Sequence, residues 1–232
     1  MGWMVFDLRY LLFLLPALLL AGWASAVTKS TFAKYAKVRA QSGMTGVEAA
    51  YRLLARHGLH SVSIKRGGGF LSDHYNPATR TLSLSPDVYD GRSLSAIGVA
   101  CHEAGHALQH ADRYAALAIR TALVPAAQLG SGASYFFIFI GFILNSMLMF
   151  KVGIVLFSIA VLFALITLPV EWNASRRAKQ LMLSSGIVTA GEAGRAGAVL
   201  NAAFLTYVAS ALTALMTLLY YLWRAGLLGG RR

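Results

Sequence analysis

Acidic residues are scarce in this chain: nine Asp plus Glu stand against 21 Lys plus Arg in 232 residues, a formal charge of +12. Charge of either sign is sparse too, at 13%, while hydrophobic residues make up 57%. That balance excludes an ordinary water-soluble domain and calls for several membrane spans. Nucleic acid is not expected as a partner of the excess positive charge, because no basic run is interleaved with aromatics for base stacking. The basic residues sit beside apolar segments, where loops on the cytoplasmic side collect them opposite the anionic headgroups of membrane lipids. Cys101 is the only cysteine, so no internal disulfide can form and no oxidising compartment is needed. The length excludes a large multidomain design.

Long apolar runs are what the chain has in abundance. The first, Tyr10 to Ala26 with an extension back to Trp3, reads two ways. Ala24-Ser25-Ala26 resembles a signal-peptidase site, which would export everything downstream. Against export, Lys29, Lys34, Lys37 and Arg39 follow at once, whereas the other flank has only Arg9 opposed by Asp7; a retained anchor is favoured. Three further segments, roughly 121–147, 152–170 and 198–223, are each long enough for about 30 Å of hydrocarbon, which makes about four spans. Ala126, Gly130 and Ser134 have small-xxx-small spacing, read either as a close helix contact or as chance. With Lys29 to Arg39 cytoplasmic, the middle two spans go out and back, and Arg176, Arg177 and Lys179 agree with the return. Arg224, Arg231 and Arg232 then lie outside, against the rule.

Residues 28 to about 117 form the one extended polar region and read as a small α+β unit. Thr45-Gly46-Val47-Glu48 is a capping box, and Val47, Ala50, Leu53 and Leu54 recur at helical spacing until Gly58. "SVSIK" at 61–65 and "TRTLSLS" at 79–85 alternate as strands, separated by Gly67-Gly68-Gly69 and an Asn76-Pro77 turn. The second of these is read as either an edge strand that pairs with extended substrate or a plain sheet strand. From Ser93 to about Ala111 a helix is expected, with Ile97, Cys101, Ala104 and Leu108 on one face.

The other face of that helix carries His102, Glu103 and His106, an H-E-x-x-H motif within "VACHEAGHALQH". Histidines at i and i+4 project one turn apart and can each aim a nitrogen at one ion about 2.0–2.1 Å away. Glu103, adjacent to the first, is placed to accept a proton from a water whose pKa zinc lowers to about 7. A chance match of a short motif is one competing reading. A structural zinc site is another, but that requires a fourth protein ligand, and Cys101 lies about 100° round the helix from His102. A hydrolytic site needs a third ligand, and His110, Asp112, Glu171 and Glu192 are the candidates. His110 would put three donors in a line along one helix, and it lacks the spacing of the longer H-E-x-x-H-x-x-G-x-x-H sites. Asp112 lies where the helix is expected to fray, and Glu192 is explained as the far end of a capping box from Thr189. Glu171 follows Pro169 at the end of an apolar span, where an unpaired carboxylate is costly without a partner.

Four blocks, "TKSTFAKYAKVRAQSGMTGVEAA", "LSDHYNPATRTLSLSPDVYDGRS", "CHEAGHALQHADRYA" and "LPVEWNASRRA", resemble the YugP-type neutral zinc metallopeptidases, bacterial membrane proteins with this order of elements. The likeness runs from about residue 27 to residue 180. It implies that His102 and His106 are the histidine ligands, Glu103 the catalytic acid/base and Glu171 the third ligand. A looser likeness to the HtpX-type and CAAX prenyl-protease membrane gluzincins supports Glu171. Those families carry an aspartate after the glutamate, and Asn173-Ala174-Ser175 stands where it would fall. The partner that orients a zinc histidine is thereby left unassigned.

The expected protein is an α-helical integral membrane protein with about four transmembrane helices and a small zincin-like α+β cytoplasmic unit. Residues 1–27 would be the anchor, 28–117 the zincin-like unit, 118–170 a transmembrane hairpin, 171–197 a cytoplasmic segment with the third ligand, and 198–232 the last helix and tail. The function expected is Zn2+-dependent endopeptidase activity at the cytoplasmic face of the bacterial inner membrane, with membrane or membrane-proximal proteins as substrates. A non-catalytic membrane scaffold or metal-binding chaperone factor is the rival. Glu103 separates them, because a purely metal-binding role has no use for a base beside the histidines.

Overall fold

A computed structural model describes residues 8–69 and 72–228. Trp3, Asp7, Leu71, Arg231 and Arg232 lie outside the described residues. The order of elements is α1 (Leu8–Ala36), α2 (Gly46–Arg56), β1 (Ser63–Arg66), β2 (His74–Asn76), β3 (Thr81–Leu84), α3 (Pro86–Tyr89), α4 (Leu94–Ala111), α5 (Ala115–Ile143), α6 (Met147–Ser184) and α7 (Ala190–Arg224). Four of the helices, α1, α5, α6 and α7, are long and apolar enough to cross a membrane. In their most apolar stretches only 17–28% of residues are buried, so most of the apolar surface points away from the protein. The helices overrun the apolar runs that announced them: α1 continues through Lys34, and α6 continues through Pro169 and Glu171 to Ser184. Proline removes one hydrogen bond from a helix without ending it here.

The chain divides into two compact units. The first takes residues 8–23, 119–169 and 206–228 of the described chain. Its core joins Ile138, Phe150, Ile154, Phe157 and Val161 to Tyr220 and Tyr221. α5 and α6 approach closely along small residues: a Cβ on Gly153 would meet the Ser134 carbonyl at 3.0 Å, and one on Gly130 would meet the Leu156 carbonyl at 3.3 Å. Gly130 and Ser134 thus lie on a packing seam, but Ala126 is exposed and Ala127 takes the buried position. The connection between these helices is only residues 144–146, and Asn145 adopts a left-handed φ of 48° there. Lys151 lies within α6.

The second unit comprises Ala24–Ala118 and Val170–Leu205. Its core is built from Leu53, Leu54, Leu82, Leu84, Ile97, Cys101, Ala104, Met182, Ile187 and Leu200. The capping box forms as read: the Glu48 N–H donates to Thr45 Oγ1 at 3.3 Å and the Thr45 N–H to Glu48 Oε2 at 2.7 Å. Those hydrogen bonds, with the nearby Arg92 charge, hold the Glu48 carboxyl below its usual range. Gly58, at φ 71°, ends the turn after α2. At the head of α4 the Ser93 hydroxyl accepts from the Ala96 N–H at 3.2 Å.

The three strands run in the order β1-β3-β2, with β1 parallel and β2 antiparallel to β3. The alternation read over 79–85 is real, since Leu82 and Leu84 are fully buried. Its reading as an edge strand is corrected: β3 is central, and its backbone groups are paired on both sides, so it has none left for a substrate. The strand that covers it, β2, is three residues long and occupies the segment read as the approach to a turn.

Candidate metal centre

α4 is buried on nearly every side. Ile97, Cys101, Ala104 and Leu108 face the core of their unit as the periodicity predicts. The opposite face is covered as well, leaving Glu103 9% and His106 6% exposed. α6 covers it, and glycine inside the motif makes the approach possible: a Cβ on Gly105 would lie 2.9 Å from the Ala174 carbonyl oxygen.

This contact carries Glu171 onto the motif. Glu171 Oε2 lies 3.1 Å from His102 Nε2 and 3.5 Å from His106 Nε2, although it is 69 positions from His102 in sequence. Donors around a tetrahedral zinc at about 2.0–2.1 Å are roughly 3.3 Å apart, so both separations match a shared ion. The two imidazoles stand nearly at right angles, at 84°, with ring centroids 4.8 Å apart. His102, His106 and Glu171 are the group of three potential ligands found among the described residues. Two neutral imidazoles and one carboxylate suit a divalent ion that keeps an open position. Glu171 is 1% exposed, and a buried carboxylate has a high desolvation cost that a cation offsets. Burial pulls the His106 pKa down, but the adjacent Glu171 carboxylate, the Glu103 charge and the Gln109 contact outweigh that and leave it raised.

The other three candidates have other partners. The Tyr75 hydroxyl and His110 Nδ1 are 2.9 Å apart. Asp112 caps α4 and forms an ion pair with Arg177. Glu192 accepts from the Thr189 N–H at 2.9 Å and from the Gln41 N–H at 2.8 Å, tying the start of α7 to the segment before α2.

Residues 10–226 match the family described as "Putative neutral zinc metallopeptidase". The chain belongs to this family. A protein of Bacillus subtilis (strain 168) described as "Putative membrane protease YugP" is 48% identical over 207 residues, which cover 89% of this chain and 92% of that protein. No solved structure matches.

In this member of the family, four side chains around the donors escaped the sequence reading. Ser175 Oγ lies 3.1 Å from His102 Nδ1. It stands four residues after Glu171, within the Asn173-Ala174-Ser175 segment where the looser relatives place an aspartate. Gln109 Oε1 lies 3.0 Å from His106 Nδ1, and the Gln109 amide is held by the Val170 carbonyl and Asn173. Asn173 in turn accepts from Arg177. Only the absence of a carboxylate from "NAS" hinted that something else orients the rings. Gln109, three residues past His106, carried no local signal.

Proposed function

We propose that this chain is a membrane-embedded zinc endopeptidase of gluzincin type, held by His102, His106 and Glu171 around one zinc ion. The observation that carries the reading is the Glu171 carboxylate, 3.1 and 3.5 Å from the two motif imidazoles on a different helix. Zinc bound there supplies a Lewis acid that polarises a scissile carbonyl and lowers the pKa of water. Glu103 takes the proton from the attacking water as the carbon–oxygen bond forms, and delivers it to the amine as the carbon–nitrogen bond breaks. Its near-complete burial limits competing bulk water.

The site belongs on the cytoplasmic face of the bacterial inner membrane. Lys29, Lys34, Lys37 and Arg39 flank the first span, and Arg176, Arg177 and Lys179 follow Glu171; positive-inside favours the cytoplasm for both groups. Substrates on that face would be membrane or membrane-proximal proteins.

Glu103→Gln tests the reading against a non-catalytic scaffold, because an amide cannot accept the proton. The purified variant should keep zinc and lose about 10²–10⁴-fold in peptide hydrolysis. Hydrolysis at the wild-type rate would refute the peptidase assignment. Membrane proteins that accumulate in a Glu103→Gln strain, identified by mass spectrometry, would be the substrates.

A further inference from the structure

Gln109 is fully buried one turn past His106, and its amide has three partners. Nε2 donates to the Val170 carbonyl at 2.8 Å and to Asn173 Oδ1 at 3.0 Å, while Oε1 lies 3.0 Å from His106 Nδ1. The direction of every bond follows from one end. A guanidinium can only donate, and Arg177 Nε lies 2.9 Å from Asn173 Oδ1, so that atom is an acceptor. The Val170 backbone carbonyl also can only accept. Gln109 faces two acceptors, so it turns its NH₂ to them and its oxygen to His106. An oxygen there requires a proton on His106 Nδ1. In a neutral imidazole the other nitrogen, Nε2, then keeps its lone pair. Nε2 is the atom 3.5 Å from the Glu171 carboxylate.

We propose that Arg177, Asn173 and Gln109 form a positioning relay that fixes His106 in the Nδ1–H tautomer and aims its Nε2 lone pair at the metal site. The relay serves the metal-site reading above, but the geometry that defines it contains no metal. His102 is held differently. Its Nδ1 faces the Ser175 hydroxyl at 3.1 Å, a group that can donate or accept, so that contact orients the ring without selecting a tautomer. His106 is the ligand set before any ion arrives. Asp112, paired with Arg177, ties the far end of the relay back to the end of α4. Because Glu171, Asn173 and Arg177 all lie on α6, seating that helix delivers the third ligand and the relay together.

The first test uses the metal-free wild-type protein in detergent, with nitrogen-15 labelled histidine, in buffer raised in pH until the His106 ring carries a single proton. His106 is assigned by difference from a His106→Gln sample. Its Nδ1 should be protonated and its Nε2 bare; a proton on Nε2 with a bare Nδ1 would overturn the relay, whether or not the protein takes up zinc. The second test measures zinc affinity by chelator competition. Gln109→Leu and Asn173→Leu should each weaken binding about 10–100-fold. Asn173→Asp, which keeps an acceptor for both Gln109 and Arg177, should stay near wild type. Unchanged affinity in both leucine variants, or equal loss in Asn173→Asp and Asn173→Leu, would also overturn it. If the wild type itself takes up no zinc, the metal reading fails separately while the ring nitrogens still decide the relay.

Discussion

Glu171 is the residue on which the proposed chemistry turns, and its surroundings predict a sharp contrast. His110 is engaged with the Tyr75 hydroxyl and Asp112 with Arg177, whereas Glu171 faces both motif imidazoles. After dialysis, Glu171→Ala should lose most of its zinc, while His110→Ala and Asp112→Ala retain it at one per chain; each must elute as a folded species in detergent. Stoichiometric zinc in Glu171→Ala, with loss in either of the others, would place the third ligand on α4 and end the gluzincin assignment. The motif residues were legible because H-E-x-x-H is a local pattern with a local geometry. Glu171 was legible by elimination, as a carboxylate at an apolar boundary with no structural partner nearby in sequence. Gln109 and Ser175 were not, because a glutamine or serine acquires an orienting role only from what packs against it.

Between helices, the close approach of α4 and α6 depends on Gly105. An alanine there brings Cβ to within 2.9 Å of the Ala174 carbonyl, which belongs to backbone and cannot swing aside. Gly105→Ala should cost about 1–3 kcal/mol and weaken zinc binding, since the displaced helix carries Glu171. Gly194→Ala is the control: nothing lies within 4 Å of a Cβ there, and in a helix interior the change should be neutral or stabilise by up to about 1 kcal/mol. Thermal unfolding in detergent, with zinc content on the same samples, checks both. If Gly105→Ala unfolds and binds zinc like the wild type, the tight contact does not set the site. Helix starts such as Thr45 to Glu48 could be read directly, because a capping box is complete within four residues. The strand β2 could not: three residues without alternation carry too little pattern, and its pairing with β3 is a tertiary event.

For the molecule as a whole, the buried Cys101 and the short connection at 144–146 provide two reporters. Burial pushes the Cys101 thiol pKa up, so the native state holds a proton that the unfolded chain gives up near the ordinary value of about 8.5. That contribution is present below this pH and is lost as pH rises above it. Thermal midpoints should therefore decline in alkaline buffer, and Cys101→Ala should make the decline shallower. An unaltered slope would show that the thiol is not shielded. For topology, a Ser146→Cys substitution in a Cys101→Ala background should be labelled by an impermeant thiol reagent in intact cells, because the basic flanks favour the cytoplasm for the opposite ends of these helices. Labelling only after lysis, with good expression, would reverse the orientation.

The amino-acid order was sufficient for the features that arise within one or two helical turns or from bulk composition. Four long apolar helices, the capped α2, the alternation of Leu82 and Leu84, and the His102-Glu103-His106 face all follow from periodicity and hydropathy. Packing decided the rest. It made β3 central, put Gly130 and Ser134 on the seam with Ala127 in place of Ala126, and covered the motif face of α4. It also set the 3.1 and 3.5 Å separations of Glu171 from the histidines and the contacts of Gln109, Asn173 and Ser175 around them. The physical reason is range: backbone propensity acts over a few residues, whereas a metal site joins donors dozens of positions apart. Their distances are fixed by how closely two helices can approach, here at a glycine against a carbonyl.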